Sequence, residues 1–224
     1  MPKFLSNILG DFAEFNPSTI AILILLVMVG TGGIIFLRKS REVKFTTKML
    51  VYASVCIALS FVLSYIRLYH MPQGGSITPA SMLPVMTFAY IFGPIPGVLA
   101  GIAYGMLQYI QEGYVVHWIQ FFLDYPVAFG FLGLAGLYRK NLSVACIIGI
   151  AGRFLMHFLT GIVFFYEYAQ GQPVVWYSLV YNGTYLLVEL VICAVVASLP
   201  QVRNMVRSLQ NTCRGKEFTA GAKG

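Results

Sequence analysis

Charge is scarce in this 224-residue chain: 15 Lys and Arg, 8 Asp and Glu and 3 His leave a charged fraction (DEKR) of 10%. Set beside 58% hydrophobic residues and a mean hydropathy of +0.76, that scarcity excludes an ordinary water-soluble domain. Cysteine is equally sparse. Cys56, Cys146 and Cys193 fall in apolar runs and Cys213 in a basic tail, so no pair is placed for an external disulfide, and there is no C-x-x-C or zinc spacing. No GxxxxGK[ST] segment is present either, so the chain carries no nucleotide-phosphate loop of its own.

What the chain has instead is long apolar runs, near 18–37, 49–69, 81–92, 95–111, 117–138, 143–166 and 175–199. Crossing roughly 30 Å of hydrocarbon takes about 20 residues as a helix, so the chain reads as an all-α integral membrane protein. The third run is short and is expected to tilt or to be partly covered by its neighbours. The first follows a leader containing Asp11 and Glu14 and precedes "RKSREVK", the pattern of a membrane anchor rather than a cleaved signal.

Seven spans put the termini on opposite sides of the membrane. Cytoplasmic loops are enriched in Lys and Arg. Placing the C-terminus inside gathers Arg38, Lys39, Arg41, Lys44 and Lys48 in one cytoplasmic loop, Arg139 and Lys140 in another, and Arg203, Arg207, Arg214, Lys216 and Lys223 in the tail, with only Lys3 and Arg67 outside. The net charge of +7 is thereby explained by topology in a membrane, with no need for nucleic acid as a partner.

Asp124 stands inside the fifth span, in "HWIQFFLDYPVAFGFLGLAGLYRK". A carboxylate there costs about 2.5 to 3.5 kcal/mol on insertion scales, so it faces a bundle interior, a partner or a cavity. At a rise of 1.5 Å per residue, Asp124 lies roughly 10 Å below the outer surface, His157 of the sixth span roughly 13 Å and Asn182 of the seventh roughly 10 Å, with Tyr177 in the seventh span's first turn. Three helices thus bring Asp, His and Asn to one level. Tyr114, Trp118, Tyr125, Phe165, Tyr166, Tyr168, Trp176, Tyr177, Tyr181 and Tyr185 crowd the same outer ends. They read either as an interfacial belt or, with the carboxylate, as a cage for an organic cation.

Other features have structural readings. Gly93, Gly97, Gly101 and Gly105 form a small-residue ridge for close helix packing. Pro126 frees a carbonyl one turn before it. Arg153 and Glu189 come out at matching depth, roughly 15 Å from the cytoplasmic end, and are expected to form a buried ion pair. "MPQGGSITPAS" is a Gly- and Pro-punctuated outer loop, read as a lid over the site through Met71, Gly74, Gly75 and Ser76.

The segments "MPQGGSIT", "SMLP", "FFLDYPVAF", "HFLTGIVFF" and "YSLVYNGTY", in order and spacing, resemble the thiamine-specific substrate-binding subunits (S-components, the ThiT or YuaJ family) of energy-coupling factor vitamin transporters. The resemblance covers about Thr46 to Arg203 and implies a six-helix S-component core with one additional N-terminal transmembrane helix. Residues 1–45 are then an outside segment, the extra helix and a basic cytoplasmic loop; 46–203 are the substrate-binding membrane domain; 204–224 are a basic cytoplasmic tail. It further implies that Asp124 is the acidic ligand for thiamine's thiazolium and aminopyrimidine, where some members have Glu. Tyr125, Tyr114, His157, Tyr177 and Asn182 fall on other binding positions, and Phe165 on a stacking position occupied elsewhere by Trp. Ser54 and Ala58 correspond to the small-residue face presented to an energy-coupling transmembrane subunit, which works with two ATPase subunits. No cofactor is implied; thiamine is the ligand.

Two other functions fit the residues less well. In an ion-coupled secondary transporter of a small organic cation, Asp124 and His157 would relay protons, but the halves of the chain show no inverted repeat. An intramembrane enzyme would use the same pair as acid and base, but no nucleophile, metal cluster or cofactor fingerprint accompanies them.

Overall fold

The computed structural model describes residues 17–40 and 43–220. The outside segment expected over residues 1–16, Arg41 and the last residues, including Lys223, lie outside the described residues. The first helix, α1 (Pro17–Ser40), begins on a proline, whose missing amide would have no partner in a first turn, and ends on Arg38 and Lys39, which complement the negative end of the helix dipole. One stripe of it, Ala21 and Leu25, packs against Met156, Leu159 and Ile162 of the sixth helix and Ala128 of the fifth. Leu23, Val27, Ile34 and Ile35 point outward, as a lipid-facing surface should.

Helix α2 (Thr47–Tyr65) is capped by Thr46, whose hydroxyl accepts from Met49 N at 3.2 Å. The segment after it is not a plain loop. Tyr69–His70 (β1) and Ser76–Ile77 (β2) pair antiparallel, and the chain then dives: Thr78, Ala80, Ser81 and Met82 are all buried. The third helix, α3 (Leu83–Phe92), is ten residues long and begins where the chain is already buried. Irregular backbone is tolerated at depth only inside protein or beside a cavity. At the other end, Arg139 donates through Nε to Tyr90 O at 2.9 Å and through its guanidinium to Ile91 O, satisfying carbonyls that α3 leaves open.

Gly93, at φ 102°, makes the corner into α4 (Pro94–Glu112). The other ridge glycines serve packing. A Cβ on Gly101 would sit 2.3 Å from Phe129 O, and one on Gly105 2.3 Å from Tyr125 O. Lipid is as apolar as the helices, so contact of this closeness, rather than exclusion of water, holds such pairs together.

The fifth span, α5 (Trp118–Leu137), changes winding three times: α to Phe122, a π turn over Leu123–Val127, α again to Gly130 and 3-10 from Phe131. Pro126 has no N–H to complete an α turn, and Ala128 N donates to Leu123 O, five residues back. Helix α6 (Leu142–Phe164) starts at Asn141, whose side chain accepts from Ser143 N at 2.9 Å. A short 3-10 turn, Tyr166–Ala169, leads to α7 (Val174–Ser198). The basic tail is itself a helix, α8 (Pro200–Ala220). It lies against α3 and α7 with Val206 buried, and Lys48 Nζ donates to Thr212 O at 3.1 Å.

Five of these helices, α1, α2, α5, α6 and α7, are long and apolar enough to cross a membrane. The protein is a multi-pass, all-α membrane protein. Its main core runs through α3, α4, α5, α6 and α7, around Phe88, Tyr104, Leu132, Ile150 and Leu186.

Candidate functional site

The helices and the descending segment after β2 enclose a cavity of about 1010 Å³, counting the open solvent at its mouth. Asp124, Tyr125, Tyr114, His157, Phe165, Tyr177 and Asn182 all line it, together with Gly74, Gly75 and Ser76 of the hairpin. Met71, in the turn of the hairpin, is buried and is not part of the lining. Trp118 and Trp176 are 68% and 57% exposed and do not line the cavity.

The π turn aims Asp124 inward, where it is 7% exposed. Its Oδ1 accepts from Thr160 Oγ1 at 2.5 Å and lies 3.0 Å from His157 Nδ1, while Oδ2 accepts from Gln120 Nε2 at 2.6 Å. The opposite ring nitrogen, His157 Nε2, accepts from Arg153 Nε at 3.2 Å. Arg can only donate, so Nε2 must carry the lone pair and Nδ1 the proton. His157 is therefore a neutral bridge between an anion and a cation, donating to Asp124 and accepting from Arg153. Asn182 holds the adjacent wall by donating from Nδ2 to His157 O at 3.1 Å and Ser178 O at 3.0 Å, which ties α6 to α7.

Aromatic rings form the upper walls. Tyr114 stacks on Phe165 with centroids 6.1 Å apart at 28°, and its backbone N donates to Tyr125 Oη at 2.7 Å. The Tyr168 hydroxyl, 2.6 Å from that of Tyr114, pushes the Tyr114 phenol above its ordinary pKa. The hairpin closes over these rings. Tyr181 Oη accepts from Gln73 N at 2.8 Å and donates to Gly74 O at 3.0 Å. Gly75, at φ +89°, lies over the Tyr185 ring, which a Cβ would approach to 3.0 Å.

Arg153 and Glu189 correct the sequence-based expectation. They do not pair with each other, and both line the cavity. The Arg153 guanidinium lies 3.9 Å over the Phe129 ring and reaches Met82 Sδ at 2.8 Å. Glu189 turns to the descending segment instead, its Oε1 accepting from Thr78 N and, at 2.6 Å, from Thr78 Oγ1. Matching depth along two helices fixes height but not the direction each side chain faces. Gln120, Thr160 and Thr78 were also missed. The first two sit one turn from Asp124 and His157, at i−4 and i+3, the spacing that puts side chains on one helix face.

At the mouth Arg67 pairs with Glu112, and His70 Nδ1 lies 3.7 Å from the same carboxylate. Ser54 and Ala58 are far from the cavity, both exposed on the outer face of α2 beside Val51, Val55 and Val62.

The sequence profile of the family described as Thiamine transporter protein (Thia_YuaJ) matches residues 50–207. Similar proteins include thiamine transporter ThiT of Bacillus subtilis (strain 168), 33% identical over 147 residues that cover 58% of this chain and 76% of that protein. Thiamine transporter ThiT of Lacticaseibacillus paracasei is 31% identical over 139 residues, covering 53% of this chain and 69% of that one. A solved structure of ThiT from Listeria monocytogenes superposes with a TM-score of 0.63 at 24% identity, covering 70% of this chain and 96% of that one. That likeness is one of fold.

Proposed function

This chain belongs to the thiamine transporter protein (Thia_YuaJ) family, and from that membership we propose that it is the high-affinity thiamine-binding subunit of an energy-coupling-factor importer. The observation that carries the reading is the cavity itself, where a carboxylate, a neutral imidazole and stacked aromatic rings converge under a hairpin. Thiamine offers a positively charged thiazolium and a flat aminopyrimidine. The rings of Tyr114 and Phe165 suit stacking, Tyr125 and Tyr177 suit cation–π contact, and Asp124, His157 and Asn182 suit the polar edge of the pyrimidine.

We assign the mouth to the outside, the N-terminus to the outside and the C-terminus to the cytoplasm. Lys48 and the tail helix meet at the end opposite the mouth, and the basic loops gather there as the positive-inside rule requires. Transport then proceeds by capture from outside under the hairpin, followed by release inward driven by an energy-coupling transmembrane subunit and two ATPase subunits. The exposed small residues Ser54 and Ala58 on α2 are the docking face for that transmembrane subunit, because small side chains let helices approach closely in lipid.

The test is reconstitution. In liposomes the purified chain should bind radiolabelled thiamine without accumulating it, even under an imposed proton or sodium gradient. Adding the coupling subunit, its ATPases and ATP should produce uptake. Gradient-driven accumulation by the chain alone, abolished by an ionophore, would reject the proposal in favour of an ion-coupled secondary transporter.

A further inference from the structure

A second, smaller cavity lies at the other end of the bundle, about 340 Å³ counting the open solvent around it, and Lys140, Arg203 and Arg207 line it together with Tyr90 and Asn141. None of the three cations has an ion-pair partner among the described residues. The described carboxylates are all elsewhere: Glu112 at the mouth, Asp124 and Glu189 in the first cavity, Glu167 in the 3-10 turn past the far end of α6. A bias of basic residues to one side accounts for their number on this side, not for their meeting in one pocket. The pocket is held in shape, because Arg139, next to Lys140, is fixed to Tyr90 O and Ile91 O, and α8 is anchored through the buried Val206. Helices α6 and α8 both begin here, and the positive ends of their dipoles add to the same sign.

We propose that this pocket binds the phosphate of an anionic phospholipid and that the bound lipid fastens the tail helix to the bundle. Height favours a lipid over a soluble anion. The apolar span of α5 ends at Leu137, that of α6 starts at Leu142 and that of α7 ends at Ser198, so Lys140 and Arg203 stand just past the ends of spans, at the level of lipid headgroups. Leu137, Val144 and Leu199, neighbours of the pocket along the chain, are exposed and offer surface to acyl chains, which free phosphate lacks. Basic pockets between spans at the cytoplasmic face suit anionic headgroups, and the orientation assigned above puts this one there. A phosphate bridging Lys140 to Arg203 and Arg207 would relieve the repulsion among them and join the α5–α6 loop to α8. The site is independent of what the first cavity binds.

The experiment is native mass spectrometry on the purified full chain, titrated with phosphatidylglycerol and phosphatidylcholine of matched acyl chains. The wild type should retain phosphatidylglycerol with at least about tenfold preference, since one basic residue near an anionic surface is worth about fivefold. The triple variant Lys140→Gln, Arg203→Gln, Arg207→Gln should lower that preference to about twofold or less. The control triple Arg38→Gln, Lys39→Gln, Lys44→Gln removes the same charge outside the pocket and should stay within about twofold of wild type. All six side chains are exposed; where the pocket triple does not fold, Arg207→Gln alone should lower the preference at least about threefold. An excess of inorganic phosphate should not displace the lipid. Equal retention of both lipids by the wild type, or an equal loss in the two triple variants, overturns the proposal. Displacement by inorganic phosphate overturns it in favour of a soluble anion. Unchanged lipid retention in the pocket triple also overturns it, and if that variant no longer assembles with the coupling subunits the pocket belongs to a protein partner.

Discussion

Replacing Asp124 with Asn changes one atom, yet the surrounding bonds leave that atom nowhere to go. Asn has one acceptor oxygen where Asp has two. With the oxygen kept toward His157 and Thr160, the new NH₂ faces Gln120 Nε2, donor against donor across the present 2.6 Å. Gln120 relieves this only by turning its amide over. Its Oε1 now accepts from Val116 N at 3.2 Å and its Nε2 donates to Tyr114 O at 3.3 Å, so the turn breaks both contacts to the segment that carries Tyr114. Hydrogen bonds to charged groups contribute about 1.5 to 3 kcal/mol, and a buried unsatisfied group costs about 1 to 3 kcal/mol. Arg153 also loses the anion it is linked to through His157. A total affinity loss of about 2 to 5 kcal/mol is expected, or roughly 30- to 4000-fold in Kd. The fold should survive, because Thr160 keeps its bond to Met156 O at 3.1 Å and Asn182 still ties α6 to α7. Calorimetric titration with thiamine and a thermal unfolding curve on the same preparation give both quantities. An affinity within about threefold of wild type, well below the range for a broken buried charge contact, would refute the assignment of Asp124 to the site.

Two further outcomes follow from the mouth and the helix ridge. Thiamine should bind more tightly than thiamine diphosphate, because the mouth cation Arg67 is already engaged by Glu112; Glu112→Gln should narrow that gap in a competition assay by up to about fivefold, the scale of a partly exposed ion pair, and equal binding of both ligands by the wild type would contradict the charge assignment. Gly101→Ala would force a Cβ to within 2.3 Å of Phe129 O, so thermal unfolding should show a loss of about 1 to 3 kcal/mol; an unchanged melting curve would mean that α4 and α5 yield more easily than their close contact implies.

The parts of the molecule that are straight helices were readable because a helix is a ruler: a fixed rise turns sequence distance into depth, and Asp124, His157 and Asn182 do converge. Depth says nothing of azimuth, so Arg153 and Glu189, level with each other in the count, were assigned to one another when each faces a different neighbour. The descent of Thr78 to Met82 was invisible for a related reason, since irregular backbone has no fixed rise to count along. The tail helix carried a signal that composition concealed. Val202, Val206, Leu209 and Cys213 recur at intervals of three and four, and these residues pack on the core, but the basic residues between them dominated the reading as a tail.

The π turn in α5 gives that helix two separate phases. A π turn holds more residues than an α turn, so the residues before it are set back by on the order of 100° relative to those after it, the angular step of one residue. Gln120, upstream of the π turn, and Asp124, within it, are phased to the cavity; downstream, Gly133 and Gly136 are phased to the backbone of α4 and the α3–α4 corner. An uninterrupted helix would satisfy one set and rotate the other away. Register in this span is therefore a constraint on the site: deleting Pro126 would disengage the carboxylate from its pocket although Asp124 itself remains in the chain, and an insertion of one residue in the loop at residues 138–141 would leave both phases intact.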